Sequence, residues 1–175
     1  VPGMAIPPGT PLPAGPLGVD PTRINYVGDS LGSIVGTVAL QFAAGVRSAT
    51  LEAPGGVLTS ILFDSPAFKS RIYAGLNAAG LTSDSYIFNL FRRDFQAVVD
   101  SGDPVNYIKA AQATVPTHLM MWPNDTVVPN ASTENMIRAD GLRKLNTLGP
   151  NAVVAGDGAY TLFSTGVHGS IFSPA

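Results

Sequence analysis

At 175 residues, 45% hydrophobic and 13% charged, the chain is sized for one domain with a buried core and is too apolar for a disordered polar tail. Its net charge of −2, without a run of Lys or Arg, gives nucleic acid nothing to hold. Zero cysteines exclude disulfides, a thiol nucleophile and thiolate metal sites, and two histidines, His118 and His168, leave no His-rich metal site.

Residues 1–22 stand apart. Pro2, Pro7, Pro8, Pro11, Pro13, Pro16 and Pro21 are interleaved with Gly3, Gly9, Gly15 and Gly18, so neither a helix nor a central strand forms there. The segment reads as an arm that wraps the surface in extended form or is loosely ordered, and 23–175 as the folded core. Arg23–Val27 is a short β-type run ending at Gly28, and 30–44 reads as a helix of small and apolar residues. Gly32 and Gly36 share one face of that helix and are expected to bring it close to a sheet. Ala49–Ala53 makes a second strand, closed by Pro54-Gly55-Gly56, which completes a strand–helix–strand unit.

Residues 57–113 read as several helices forming a cap-like insertion. In 85–99 the spacing of Ile87, Phe91, Phe95 and Val98 follows one helical face, widened by Phe88, Leu90 and Val99. Asp103-Pro104 is placed to open a further helix, with proline at its first position. Thr117–Trp122 is a third strand, stopped by Pro123. Asn130–Asn146 reads as an amphipathic helix through Met136, Ile137, Leu142 and Leu145, and Ala159–Ser164 as a last strand before Thr165-Gly166-Val167-His168. Strands alternating with helices predict an α/β fold with a mostly parallel sheet of about four strands.

Gly28-Asp29-Ser30-Leu31-Gly32 matches G-x-S-x-G at the end of a strand and the start of a helix, the context that motif requires. A serine on so tight a turn takes a strained backbone, which lifts its Oγ clear of the sheet. The next backbone N–H, that of Leu31, then starts a helix and is placed to hold an oxyanion. A serine hydroxyl needs a general base. His118 falls inside the third strand and reads as a core or edge histidine. His168 follows the last strand in a loop flanked by Gly166 and Gly169, and is the candidate base. Asp125, at the carboxyl end of the third strand, is the candidate carboxylate to orient it. Glu134 and Asp140 fall on a helix, and Asp157 lies in a glycine-rich turn. The chain order Ser30, Asp125, His168 is that of α/β-hydrolases.

The stretch Ile24–Thr37, centred on that pentapeptide, resembles the nucleophile elbow of bacterial extracellular lipases of the virulence-factor, lysophospholipase-like type. Pro54-Gly55-Gly56, Ser65-Pro66-Ala67-Phe68, Val99–Tyr107, Asp125-Thr126-Val127-Val128-Pro129 and Gly166-Val167-His168-Gly169-Ser170 resemble the same group. The resemblance covers roughly residues 20–172. It implies a truncated α/β-hydrolase fold with Ser30, Asp125 and His168 as catalytic triad. It further implies a carboxylesterase or lipase acting on small-molecule or lipid esters without a cofactor or metal, in a secreted or cell-surface setting. Two departures stand out. Such elbows usually carry His before the serine, where this chain has Asp29. The family also has several strands before the elbow, and a loop after an early one supplies the second oxyanion donor; here only the proline-rich arm precedes it. Gly28-Asp29-Ser30-Leu31 also spells the signature of GDSL hydrolases, but those place an aspartate three residues before the histidine, where this chain has Thr165.

Two expectations concern partners. No apolar stretch is long enough to span a membrane, and no charged segment leads into an apolar run as in a signal peptide. Low charge with an apolar excess points to lipid-like substrates, membrane-surface contact, or a covering partner. The edge strand Ile24–Val27 lacks charged or proline guards, which predicts a homo-oligomer that buries it. The alternative to an ester hydrolase is a catalytically weak fragment serving as an interaction module.

Overall fold

The computed structural model describes residues 20–146, 154 and 156–172. The arm expected over 1–22 lies outside them except for 20–22, a turn in which Asp20 accepts the Thr22 N–H at 2.9 Å. Among the described residues five strands form one parallel sheet: β1 (Asn25–Asp29), β2 (Ser48–Glu52), β3 (Thr117–Met121), β4 (Arg143–Lys144) and β5 (Ala159–Leu162). Their order across the sheet is β1-β2-β3-β5-β4. The fifth strand, β4, is two residues long and lies in register with Ala159 and Tyr160, too short to carry an alternation a sequence could reveal.

The described residues also form six α-helices: α1 (Leu31–Leu40), α2 (Leu58–Asp64), α3 (Lys69–Ala78), α4 (Tyr86–Val99), α5 (Ile108–Thr114) and α6 (Asn130–Asp140). Leu51 and Leu119 of the central strands are fully buried against Leu40, Ile108, Ala111 and Met136 from α1, α5 and α6. Gly36 is what lets α1 lie close to β1, because a Cβ there would run into the Tyr26 ring. Gly32, expected to share that role, faces open space; it contributes its carbonyl, which accepts the Tyr26 hydroxyl at 2.7 Å.

Several boundaries differ from the sequence reading for local reasons. Helix α1 stops at Leu40 in a tight turn, with the Phe42 N–H on Ala39 O at 3.0 Å, rather than running to 44. Helix α6 stops at Asp140, not Asn146, because Gly141 takes the left-handed conformation (φ 66°) that ends helices. Leu142 and Leu145 continue the apolar spacing but belong to the turn and sheet edge beyond. Asp103-Pro104 opens a single 3₁₀ turn, Pro104–Asn106, instead of an α-helix. There the fully buried Asp103 carboxylate accepts Val57 N–H (3.0 Å), Leu58 N–H (2.7 Å), Val105 N–H (3.1 Å) and Gln96 Nε2–H (2.8 Å). One side chain thus ties the start of α2 to α4 and the 3₁₀ turn.

Ser85 caps α4 by accepting the Phe88 N–H at 3.1 Å. The apolar stripe of α4 packs edge-on against Phe63 of α2: Phe88, Phe91 and Phe95 lie 5.7, 6.2 and 6.1 Å from it between ring centres.

Candidate functional site

A parallel sheet places the carboxyl ends of all its strands at one edge, where open α/β sheets bind ligands. The residues after β1, β3 and β5 include Ser30, Asp125 and His168 respectively. All four non-glycine residues with positive φ among the described ones follow carboxyl ends of strands at this edge: Ser30 after β1, Ala53 and Val57 after β2, and Asn124 after β3. Backbone strain is therefore concentrated at one edge of the molecule.

Ser30 sits at φ 50° and ψ −115°, between β1 and α1. Three hydrogen bonds hold it there: its N–H donates to Glu52 O (3.0 Å), and its carbonyl accepts Ser33 N–H (2.9 Å) and Ile34 N–H (3.0 Å). Gly28 is required by the same turn, since a Cβ would stand 2.9 Å from the backbone of Gly32 and Ser33. The glycine at 32 has no such need. The Leu31 N–H is the first of α1 and so has no acceptor within its own helix.

Asp125 follows β3 in a turn in which its Oδ1 accepts the Val127 and Val128 N–H groups at 2.8 and 2.9 Å. Its Oδ2 accepts from His168 Nδ1 at 2.8 Å, and the carboxylate is almost wholly buried. That bond assigns the proton to Nδ1 and leaves Nε2 as the basic nitrogen. Asn130 Nδ2 donates to Trp122 O (3.0 Å) and Ser65 Oγ to Thr126 O (3.1 Å), fixing both sides of the aspartate turn. Hydrogen bonds among the described residues join His168 to Asp125 but not Ser30 to His168. In hydrolases without ligand that contact is often long and tightens with substrate.

The other candidates have different settings. His118 lies near the start of β3, its Nε2 paired with Thr161 Oγ1 at 2.9 Å, and burial lowers its pKa below the ordinary imidazole value. Glu134 meets Arg138 (3.5 Å) on α6, and Asp157 meets Arg143 (3.0 Å). No group of three or more His, Cys, Asp or Glu among the described residues is arranged to hold a metal ion.

A cavity of about 400 Å³ opens beside Ser30. Leu31, Ile34 and Val35 of α1 form one wall, Leu58, Ile61 and Leu62 of α2 another, and Phe68, Phe95, Val99, Val127 and Val128 much of the rest. Ser30 alone among the lining residues carries a hydroxyl. Of the aromatic stripe on α4 only Phe95 reaches this cavity; Phe88 is 1% exposed and belongs to the core. Periodicity reveals which face of a helix is apolar, not what that face meets.

Sequence reasoning passed over Glu52. It ends β2 with none of its surface exposed, its Oε1 accepting the Trp122 indole N–H and its Oε2 the Ile171 N–H at 3.3 Å. Burial, then the charge of Asp29 beside it, raises its pKa, while the Trp122 bond works in the opposite direction. The available signal was a lone carboxylate closing the apolar run Ala49–Ala53.

Compared by sequence, the chain matches no family model and no curated protein. Compared by structure, it is similar to a Mycobacterium tuberculosis puromycin-hydrolyzing peptidase, with a TM-score of 0.55 and 21% identity over 86% of this chain and 19% of that one. It is also similar to an acylaminoacyl peptidase from Pyrococcus horikoshii. Its orthorhombic crystal form gives a TM-score of 0.54 and 15% identity over 87% of this chain and 21% of that one. The uncomplexed form gives 0.54 and 17% over 89% and 22%. The fold is that of the α/β-hydrolases, and the chain spans about a fifth of the length of these proteins.

Proposed function

We propose that the protein is a serine ester hydrolase acting on apolar acyl esters, with Ser30 as nucleophile, His168 as general base and Asp125 as the carboxylate that orients it. Ser30 Oγ attacks the ester carbonyl while His168 Nε2 takes its proton. The Leu31 N–H holds the oxyanion, and the imidazolium returns the proton to the departing alcohol. Water, deprotonated by the same imidazole, then releases the acid from the acyl-enzyme. Leu58 to Leu62 and Phe95, from the helical region 57–113, act as the cap over the acyl chain.

The observation that carries this reading is the cavity: a strained serine is the one hydroxyl on an otherwise aliphatic and aromatic wall. Such a wall suits a hydrocarbon chain better than a peptide, whose amides would lie unpaired against it. The likeness of the elbow and the Asp125–Pro129 turn to lysophospholipase-like lipases supports an ester rather than an amide substrate. Hydrolysis of p-nitrophenyl butyrate and octanoate, with Ser30→Ala as control, tests it. Turnover that Ser30→Ala abolishes is expected. Turnover equal in the variant would overturn the reading, and no turnover in either would favour the interaction module.

A further inference from the structure

Glu52 is fully buried, yet its hydrogen bonds reach every segment that carries a candidate catalytic residue. Its backbone carbonyl accepts the Ser30 N–H (3.0 Å) and the Ser33 hydroxyl (2.7 Å). Its Oε1 accepts the indole N–H of Trp122, three residues before Asp125. Its Oε2 accepts the N–H of Ile171, three residues after His168, at 3.3 Å. Across the sheet it is in register with Asp29, whose Oδ1 is buried without a hydrogen-bond partner among the described residues. Trp122 extends the connection: its ring stacks on Phe163 at 4.4 Å and lies under Gly166, where a Cβ would collide with it.

A buried carboxyl is destabilising unless its oxygens are occupied, so it persists where those contacts set a geometry. We propose that Glu52 is a positioning residue for His168: its carboxyl ties the loop 166–172 to the end of β2, where its own backbone carbonyl holds the Ser30 N–H. It touches neither substrate nor the reacting atoms. The loop's other described hydrogen bonds are internal, Val167 N–H to Ser170 Oγ (2.8 Å), Ser170 N–H to Val167 O (3.0 Å) and Phe172 N–H to Gly169 O (3.1 Å). They shape the turn but do not anchor it to the sheet. Its anchors are the Asp125–His168 bond and Glu52. With Oε2 unable to accept, His168 keeps its carboxylate partner, while the segment that follows it loses its tie to β2.

This proposal rests on the triad reading, and its test separates the two. Glu52→Gln keeps the volume and one acceptor but puts an amide NH₂ where Oε2 receives Ile171. It is expected to lower kcat by on the order of 10- to 100-fold at nearly unchanged KM, since the acyl cavity is untouched. Amide exchange at Ile171 is expected to quicken by roughly tenfold or more in the same variant. Trp122→Phe removes the indole N–H together with the second ring, leaves an aromatic ring to face Phe163, and is expected to shift both readouts the same way. It decides the matter if Glu52→Gln does not fold. Unchanged kcat, or a loss confined to KM, overturns the positioning role. If the wild-type protein hydrolyses no ester, the triad reading fails instead, and unchanged Ile171 exchange in Glu52→Gln would then overturn the tether as well.

Discussion

Asp125 serves three donors with one side chain, and its two simplest substitutions separate those roles. Asp125→Asn can keep the amide oxygen on Val127 and Val128 while turning its NH₂ toward His168, which favours the wrong tautomer. Its kcat is expected to fall by on the order of 10⁴-fold, less than for Ser30→Ala, with stability near wild type. Asp125→Ala also orphans two N–H groups that donate to a charged oxygen, and is expected to lower unfolding free energy by about 2–4 kcal/mol in urea denaturation. His118→Ala is expected to retain most activity, because its partner is Thr161 on the sheet. Glu52 makes a pH-dependent prediction. Its raised pKa means that the folded protein keeps a proton the unfolded chain gives up, so stability is lost as pH rises above about 4.5 through the folded value. Glu52→Gln cannot lose that proton; its stability relative to wild type should rise between pH 4 and pH 8. A difference in urea midpoint that stays constant over this range would contradict it.

At the scale of elements, the strand–turn–helix around Ser30 was legible because each of its parts has a local cause. Asn25–Asp29 favours a strand, Gly28 is demanded by backbone contact with α1, and the helix begins at the next small and apolar run. The aspartate turn and the histidine loop were legible for similar reasons, since each follows a short apolar strand. What stayed hidden depends on tertiary contact. The end of α6 is the exception, since its cause is local: the apolar spacing runs on to Leu142 and Leu145, while the left-handed Gly141 ends the helix at Asp140. The two residues of β4 are a strand only because β5 lies beside them. Asp103 looks in sequence like a local helix cap, and its longest-range partners are 45 and 46 residues away. Asp103→Ala is therefore expected to lower unfolding free energy by about 3–5 kcal/mol, beyond the usual ~1 kcal/mol of a lost cap. A loss of only that ordinary size in urea melts would contradict the bridging role.

For the whole molecule, the sheet brings strained backbone, the His168–Asp125 pair and an apolar cavity to one edge. Acyl length is the property this arrangement should govern. Each added methylene that enters the cavity gains up to about 0.8 kcal/mol, so kcat/KM is expected to rise roughly tenfold or more from butyrate to octanoate. Phe95→Asp, on the cavity wall, should remove most of that gain. At the opposite end of scale, β1 has one neighbour, β2, among the described residues, and Ile24 and Val27 are 44% and 53% exposed. We propose that a second copy covers this edge; light scattering at micromolar concentration should then give twice the chain mass, and a monomer would refute it.

The most direct measurement is covalent labelling with an alkyl phosphonate, mapped by peptide mass spectrometry in wild type and in His168→Ala. The reagent requires an activated serine and reports it without turnover. A single adduct on Ser30, formed at least ~100-fold more slowly in His168→Ala, is the expected result. An unlabelled Ser30, or equal labelling in both proteins, would contradict a serine activated by His168.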